Sequence, residues 1–186
     1  MMNIRNLSFS YDERPILEDF SLTVAENECV CIKAVSGKGK TTLLRLILGL
    51  ETDFSGEIEV PKNISAVFQE DRLIEHLSLK RNILLAKDDA EKCDEMLKKV
   101  GLYDVRHKKV SQLSGGMKRR VAILRALQFG GDLLLLDEPF NGIDYENKKI
   151  LAEIIKSEFM VSGKAVLLVT HITEDAELLG ARIVEM

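Results

Sequence analysis

Apolar and polar residues alternate along the start of the chain, and longer apolar runs follow. The segments IRNLSFSY (4–11) and LEDFSLTV (17–24) alternate with a period of two and are separated by the turn-like DERP, which predicts two antiparallel strands. ECVCIKAV (28–35) is a more continuous apolar run, as expected for a strand buried on both faces. TTLLRLILGL (41–50) has helical spacing and ends near a glycine. A strand, a glycine-bearing turn and a helix are therefore predicted in succession.

The second half of the chain repeats this alternation of strands and helices. DLLLLDEP (132–139) and KAVLLVT (164–170) are short, very apolar runs, and YENKKILAEIIKSEFM (145–160) between them has helical periodicity. Strands joined by a crossover helix predict a parallel sheet covered on both faces. We expect one domain of α/β fold with a mostly parallel sheet and an N-terminal antiparallel β element. Its catalytic core would comprise residues 1–69 and 131–186, with a helical subdomain inserted at about 70–130.

Composition and charge narrow the classes of protein to consider. The net charge is −4 and the chain has no basic tail, so we expect no nucleic-acid partner. No stretch approaches the ~18 apolar residues of a membrane-spanning helix, which predicts a soluble protein whose membrane role, if any, comes through a partner. Cys29, Cys31 and Cys93 have no metal-ligand spacing and are expected to be buried thiols.

AVSGKGKTTL (34–43) nearly matches the phosphate-binding pattern G-x-x-x-x-G-K-[ST], with Ala34 in place of the first glycine. Alanine is tolerated wherever φ is negative, so this replacement is harmful only if the position needs a positive φ. Lys38 either points to solvent or makes an additional phosphate contact.

The other residues of this loop have chemistry suited to a triphosphate. Gly37 and Gly39 let the backbone wrap closely around an anion, and the following helix directs its positive end there. Lys40 would contact the β- and γ-phosphates, and the Thr41 hydroxyl would ligate Mg²⁺.

Two carboxylates, Asp137 and Glu138, follow directly after a buried strand. A lone acidic pair could simply mark the strand end. Together with a phosphate loop upstream, it predicts that Asp137 holds Mg²⁺ and that Glu138 orients and polarises an attacking water. The only candidate for a guanine-reading N-K-x-D element is NKKI, which has Ile150 where the acid belongs, so adenine is the expected base.

The segment LSGGM (113–117), followed by KRRVAILRAL, resembles the signature of ATP-binding cassette (ABC) ATPases. The family's other motifs occur in order along nearly the whole chain. The matching positions are Tyr11 in FSYDERPIL, Gln69 in AVFQEDRL, Asp144 in NGID and His171 in VTHI. VFQEDRL is also similar to importer ATPases of the nitrate, sulfonate and taurine group.

This resemblance, with the residue chemistry, implies roles at individual positions. The expected catalytic residues are Glu138, His171 and Gln69; the expected metal ligands are Thr41, Gln69 and Asp137; and the expected ATP-binding residues are Tyr11, Ser36, Gly37, Lys38, Gly39, Lys40, Thr41 and Thr42. Ser114, Gly115 and Gly116 would act on ATP bound to a partner chain, and Asp144 matches the acid of the loop after the metal-binding strand. Simpler alternatives are an ordinary edge-strand aromatic for Tyr11 and helix caps for Ser114 and His171.

The leading hypothesis is an ATPase subunit that uses ATP and Mg²⁺ to power a membrane transporter. The resemblance implies a head-to-tail homodimer or heterodimer bound to membrane-spanning permease subunits, at the cytoplasmic face of the cell membrane. Met117, which replaces the usual glutamine of the signature, and Ala34 would at worst reduce or alter activity. The sequence ends with ARIVEM (181–186), and we expect a minimal cassette. The alternatives are a soluble ABC-type ATPase and an ATP-dependent switch not coupled to transport.

Overall fold

The computed structural model describes residues 1–33, 39–160 and 163–186, which form two β-sheets and their flanking helices. The strands are β1 (Met2–Tyr11), β2 (Arg14–Val24), β3 (Cys29–Lys33), β4 (Ser55–Glu59), β5 (Ile64–Val67), β6 (Leu133–Asp137), β7 (Ala165–Val169) and β8 (Arg182–Glu185). The α-helices are α1 (Lys40–Ile47), α2 (Leu79–Leu84), α3 (Ala90–Lys99), α4 (Gly115–Phe129), α5 (Tyr145–Phe159) and α6 (Thr173–Leu179). Short 3₁₀ turns lie at Tyr103–Val105 and Val110–Gln112.

The N-terminal antiparallel element is confirmed, and it is larger than the sequence indicated. β1 pairs with β2, with Met2 opposite Val24, and on its other side β1 pairs with β4. Arg14 and Pro15 belong to β2, so the turn is shorter than the predicted DERP. β4 has little apolar character and was not predicted from the sequence.

The parallel sheet is also confirmed, with the strand order β5-β6-β7-β3-β8. The two leucine-rich strands β6 and β7 are direct neighbours in parallel register, and α5 forms the predicted crossover between them. β3 lies on the other side of β7, so the strand before the phosphate loop is central in the sheet. The edge strands β5 and β8 were not predicted.

Alternate residues of β3 face opposite sides of the sheet, as its period of two requires. Cys29 and Cys31 belong to the apolar cluster under helices α2 to α6, whereas Val30 and Ile32 belong to the cluster shared with α1 and the antiparallel sheet. The cysteines are buried free thiols, as predicted. Burial raises the pKa of Cys29 to about 12, so this thiol is protonated at neutral pH.

The middle of the chain is mostly helical, as predicted, and it lies between β5 and β6. α2 and α3 pack on α4, and buried side chains such as Leu97 and Leu124 join these helices to the main core. The proposed subdomain boundaries near residues 70 and 130 remain a prediction. Across the described residues, no helix combines the length and the apolar character needed to cross a membrane.

Candidate active site

A cavity of about 580 Å³ opens where α1 begins and where β6 and β7 end. In parallel sheets, ligands bind at the carboxyl ends of the strands, because the loops and helix N-termini there converge. The residues that line the cavity are Ile16, Gly39, Lys40, Thr41, Thr42, Gln69, Asp137, Glu138, Asn141 and His171. The structure therefore brings together residues that the sequence assigned to phosphate, metal and water chemistry.

Gly39 meets two structural requirements at the entrance to α1. It is the N-cap residue and has a φ of 83°, a left-handed conformation that favours glycine. A Cβ atom added there would lie 2.8 Å from Cγ2 of Ile16. The predicted ligands Ser36, Gly37 and Lys38, and the substituted Ala34, lie outside the described residues.

Glu138 is buried and is held by three side chains, two from the loop after β7 and one from α1. Thr170 donates its hydroxyl to Oε2 at 2.9 Å, and Nδ1 of His171 is 2.8 Å from Oε1. Lys40 Nζ lies 3.6 Å from the same Oε1. The backbone of Glu138 has a φ of 46°, and its N–H donates to the Val169 carbonyl at 2.8 Å. A non-glycine residue held in this region is characteristic of functional sites.

Asp137 lies next to Glu138 and is also buried. Burial raises the pKa of the Asp137 carboxyl above its usual value, and the neighbouring Glu138 carboxylate raises it further. The charges of Arg119 and Lys40 oppose this shift. The ionised carboxylate is thus poorly solvated, and a cation in the cavity would stabilise it.

Tyr11 does not line this cavity, although the side chain of Thr42, which does, is close enough to interact with the Tyr11 hydroxyl. Its hydroxyl donates to Glu51 at 2.9 Å, and its ring packs edge-on against Phe9 with centroids 4.7 Å apart. The hydrogen bond to Glu51 is the main cause that raises the pKa of Tyr11. Adenine stacking by Tyr11 remains a prediction.

The signature residues and Asp144 also lie outside the cavity of their own chain. Ser114 caps α4 by accepting from the Met117 N–H at 3.4 Å, so the helix-cap alternative describes a contact that exists. Asp144 caps α5 by accepting from the Asn147 N–H at 3.1 Å. The side-chain amide of Asn147 also donates to Asp144, and this bond is the main cause that lowers the pKa of the carboxyl.

The two signature glycines differ in their surroundings. A Cβ at Gly116 would lie 2.8 Å from the carbonyl oxygen of Gly142, so α4 begins in close contact with the loop before α5. A Cβ at Gly115 would meet no atom within 4 Å. Close packing against Gly142 therefore explains why residue 116 is glycine. Among the described residues, no such contact requires glycine at position 115.

Sequence reasoning missed three residues of this site. Thr170 binds Glu138, while Ile16 and Asn141 line the cavity. Thr170 follows the apolar strand β7, and a polar residue at the carboxyl end of a parallel strand is a signal that could have identified it. Ile16 comes from the antiparallel sheet, and nothing in its local pattern indicates a contact with Gly39.

Comparison with known proteins agrees with this geometry. The family model described as ABC transporter matches residues 17–141. The chain belongs to this family. It is 38% identical to the aliphatic sulfonates import ATP-binding protein SsuB 1 of Paracoccus denitrificans, over 97% of this chain and 76% of that protein. It is 34% identical to the arginine transport ATP-binding protein ArtM of Bacillus subtilis, over 100% of this chain and 87% of that protein. The taurine import ATP-binding protein TauB of a Jannaschia species is 32% identical, over 98% and 76%.

Solved structures of ABC proteins share the fold. An ATP-binding subunit of an ABC transporter superposes with a TM-score of 0.89 at 26% identity, covering 100% of this chain and 85% of that one. A dimeric ATP-binding cassette in a post-hydrolysis state, bound to ADP and Pi, superposes with a TM-score of 0.84 at 26% identity, covering 100% and 94%. The predicted ABC fold is thereby confirmed.

Proposed function

We propose that this chain binds and hydrolyses ATP as the ATP-binding subunit of a membrane transporter. One observation carries the proposal: Lys40 and Thr41, at the N-terminus of α1, share a cavity with the carboxylates of Asp137 and Glu138. Phosphate-binding groups and acidic groups in one cavity are what phosphoanhydride hydrolysis requires.

The contacts of Glu138 suggest how ATP binding prepares the site. The positive end of α1 and the Lys40 ammonium both attract the phosphates. Because Lys40 Nζ lies 3.6 Å from Oε1 of Glu138, the phosphates of an arriving ATP compete with the Glu138 carboxylate for the Lys40 ammonium. Glu138 then remains fixed by Thr170 and His171, with an oxygen available to accept a proton from an attacking water. His171 positions this carboxylate and can donate to the γ-phosphate side.

The donor set of the cavity fits Mg²⁺. Thr41, Gln69 and Asp137 supply hydroxyl, amide and carboxylate oxygens to one cavity, and these are the hard ligands that Mg²⁺ prefers. In the described residues, no side chain donates a hydrogen bond to the Asp137 carboxylate, which therefore has oxygens available for a cation or its water. When bound with ATP, Mg²⁺ would neutralise charge on the phosphates.

The signature residues favour a dimer as the active form. Ser114 and Gly115 begin α4 outside the cavity of their own chain, and Gly115 has open space before it. Two chains arranged head to tail would each place this helix N-terminus on the ATP of the other. The sequence is compatible with two copies of this chain and with a related partner chain.

A second concave surface suits a permease partner. A groove of about 620 Å³ on α2 and the adjoining loops is lined by Ser78, Lys80, Arg81, Leu84, Leu85, Asp88 and His107. α2 follows the loop that carries Gln69, so a segment in this groove would respond to the state of the cavity. We propose that a cytoplasmic segment of a membrane-spanning permease occupies it and holds the chain at the inner face of the membrane.

Glu138→Gln tests the hydrolytic role. The amide keeps the shape of the side chain but cannot act as a base, so ATP affinity should stay within about threefold while turnover falls by about 10²-fold or more. In the presence of ATP the variant should also accumulate as a dimer, because hydrolysis no longer opens the closed form. Steady-state phosphate release and size-exclusion chromatography with and without ATP measure these effects.

Glu153→Gln is the matched control, because Glu153 is an exposed acid whose partner among the described residues is Lys156 on the same helix. It should hydrolyse ATP at the wild-type rate. Normal turnover by Glu138→Gln would show that another group activates the water. A wild-type chain that neither binds nor hydrolyses ATP in the presence of Mg²⁺ would end the proposal as a whole.

A further inference from the structure

Arg119 is a buried charged residue that binds the backbone beside the cavity, and none of the roles above uses it. It lies on α4, five residues after Ser114, and its exposed fraction is 4%. Burying a guanidinium is costly unless its N–H groups find acceptors. Those acceptors belong to two segments that both contribute residues to the cavity wall.

The first segment is the end of β6. Nε of Arg119 donates to the Pro139 carbonyl at 2.8 Å, and Nη2 donates to the carbonyls of Asp137 at 2.7 Å and Glu138 at 2.8 Å. Three consecutive peptide groups, two of them belonging to the acidic residues of the site, are thus fixed by one side chain.

The second segment is the loop after β5. Nη1 of Arg119 donates to the carbonyls of Phe68 and Gln69, the latter at 3.3 Å, and lies 3.3 Å from a carboxylate oxygen of Asp71. Gln69 lines the cavity, so the same guanidinium holds the backbone of an expected metal ligand.

A guanidinium is planar and presents its donors in a fixed fork. Two backbone segments that bind different nitrogens of one guanidinium are therefore held at a fixed distance from each other. The single amine of a flexible lysine side chain cannot do this. We propose that Arg119 is a positioning residue that sets the separation between Gln69 and the Asp137–Glu138 pair, and through it the metal-dependent part of ATP binding. This inference rests on the proposed function.

The test compares wild type with Arg119→Lys and Arg119→Met. ATP affinity is measured by calorimetry once with EDTA and once with MgCl₂, alongside steady-state turnover. Metal-free affinity should stay within about threefold, because phosphate contacts at Lys40 are intact. The factor by which Mg²⁺ increases the affinity for ATP should fall by about tenfold or more, and so should the steady-state turnover. Mutation of residues that orient metal ligands typically lowers metal affinity or activity by about 10–100-fold. Arg119→Met should be the more severe variant.

Gln128→Met provides the matched control for destabilisation. Gln128 is fully buried on the same helix and donates to two backbone carbonyls, of Lys87 at 3.0 Å and Asp89 at 2.7 Å, neither of which lines the cavity. The Gln128→Met variant should be less stable than wild type, but Mg²⁺ should increase its affinity for ATP as much as it does in wild type.

Two results would overturn the inference. One is an Arg119→Lys protein with the wild-type gain from Mg²⁺ and wild-type turnover, since that variant keeps the charge and should fold even if Arg119→Met does not. The other is an equal loss in Gln128→Met at a matched unfolding midpoint. A wild-type chain with no response to Mg²⁺ or ATP would instead refute the proposed function.

Discussion

At the scale of single residues, Asp137 shows that a buried carboxylate in the cavity lowers the stability of the folded chain. Because burial raises its pKa in the folded chain, the ionised carboxylate is less favourable there than in the unfolded chain. This stability penalty is present at neutral pH and disappears as the pH falls below the ordinary aspartate pKa of about 3.9. Asp137→Asn should therefore raise the unfolding midpoint at pH 7.5, with a gain that shrinks as the pH falls and vanishes below about pH 3.9. Calorimetry over this range measures it.

Asp144→Asn supplies the comparison of opposite sign. Hydrogen bonds from Asn147 lower the pKa of Asp144, so its ionised form stabilises the fold above the ordinary aspartate pKa and this contribution is lost as the pH falls through the lowered value. That variant should be less stable than wild type at pH 7.5. If Asp137→Asn is also destabilised at pH 7.5, burial is not what dominates at this carboxyl.

At the scale of elements, a buried ion pair joins the helix after Asp144 to the helix after His171. Lys148 on α5 lies 2.8 Å from Oδ1 of Asp175 on α6. Asp175 is fully buried, and its other oxygen has no hydrogen-bond partner among the described residues. Lys148→Met leaves this carboxylate buried and uncompensated, so the free energy of unfolding should fall by about 3–5 kcal/mol. Urea denaturation measures the loss.

The neighbouring Lys149→Met serves as the control, because Lys149 makes an exposed pair with Glu146 whose loss should change stability by about 0–1 kcal/mol. The double variant Lys148→Met with Asp175→Leu should recover most of the loss. Equal effects of the two lysine variants would mean that the α5–α6 pair contributes no more than a surface contact.

The elements also show what could be predicted from the sequence. β3, β6 and β7 are central strands whose burial on both faces gives continuous apolar runs, and these were predicted correctly. β4 and β8 are edge strands with mostly exposed residues, so pairing with β1 and β3 forms them rather than a pattern of their own. Their existence depends on the assembled sheet, which local periodicity cannot indicate.

The same distinction applies to the site. Lys40, Asp137 and Glu138 lie in short motifs whose spacing carries their chemistry, so the sequence identified them. The bonds of Glu138 to Thr170, and those of Arg119 to two distant loops, exist only because separate elements meet. Thr170 and Arg119 were missed for this reason, while Lys40, Asp137 and Glu138 were identified as members of short motifs.

At the scale of the whole molecule, binding of a membrane protein at the groove on α2 would distinguish a transporter subunit from a soluble ATPase. Leu85 lines the groove and is 57% exposed, so its apolar side chain is accessible to a partner. Leu85→Glu should remove this apolar side chain and place a charge in the contact. Since the cavity is untouched, the ATP affinity and basal turnover of the isolated chain should not change.

Leu50→Glu is the matched control, because Leu50 is 55% exposed and lies after α1, away from the groove. When each tagged chain is purified from detergent-solubilised membranes, wild type and Leu50→Glu should bring down the same integral membrane protein, and Leu85→Glu should recover at least about tenfold less of it, as loss of a buried interface anchor costs about 2 kcal/mol or more. Equal recovery by all three chains would move the permease contact elsewhere on the surface. If no membrane protein accompanies the wild type, the soluble ATPase becomes the better account, because every contact that supports ATP hydrolysis would stand without a transporter to drive.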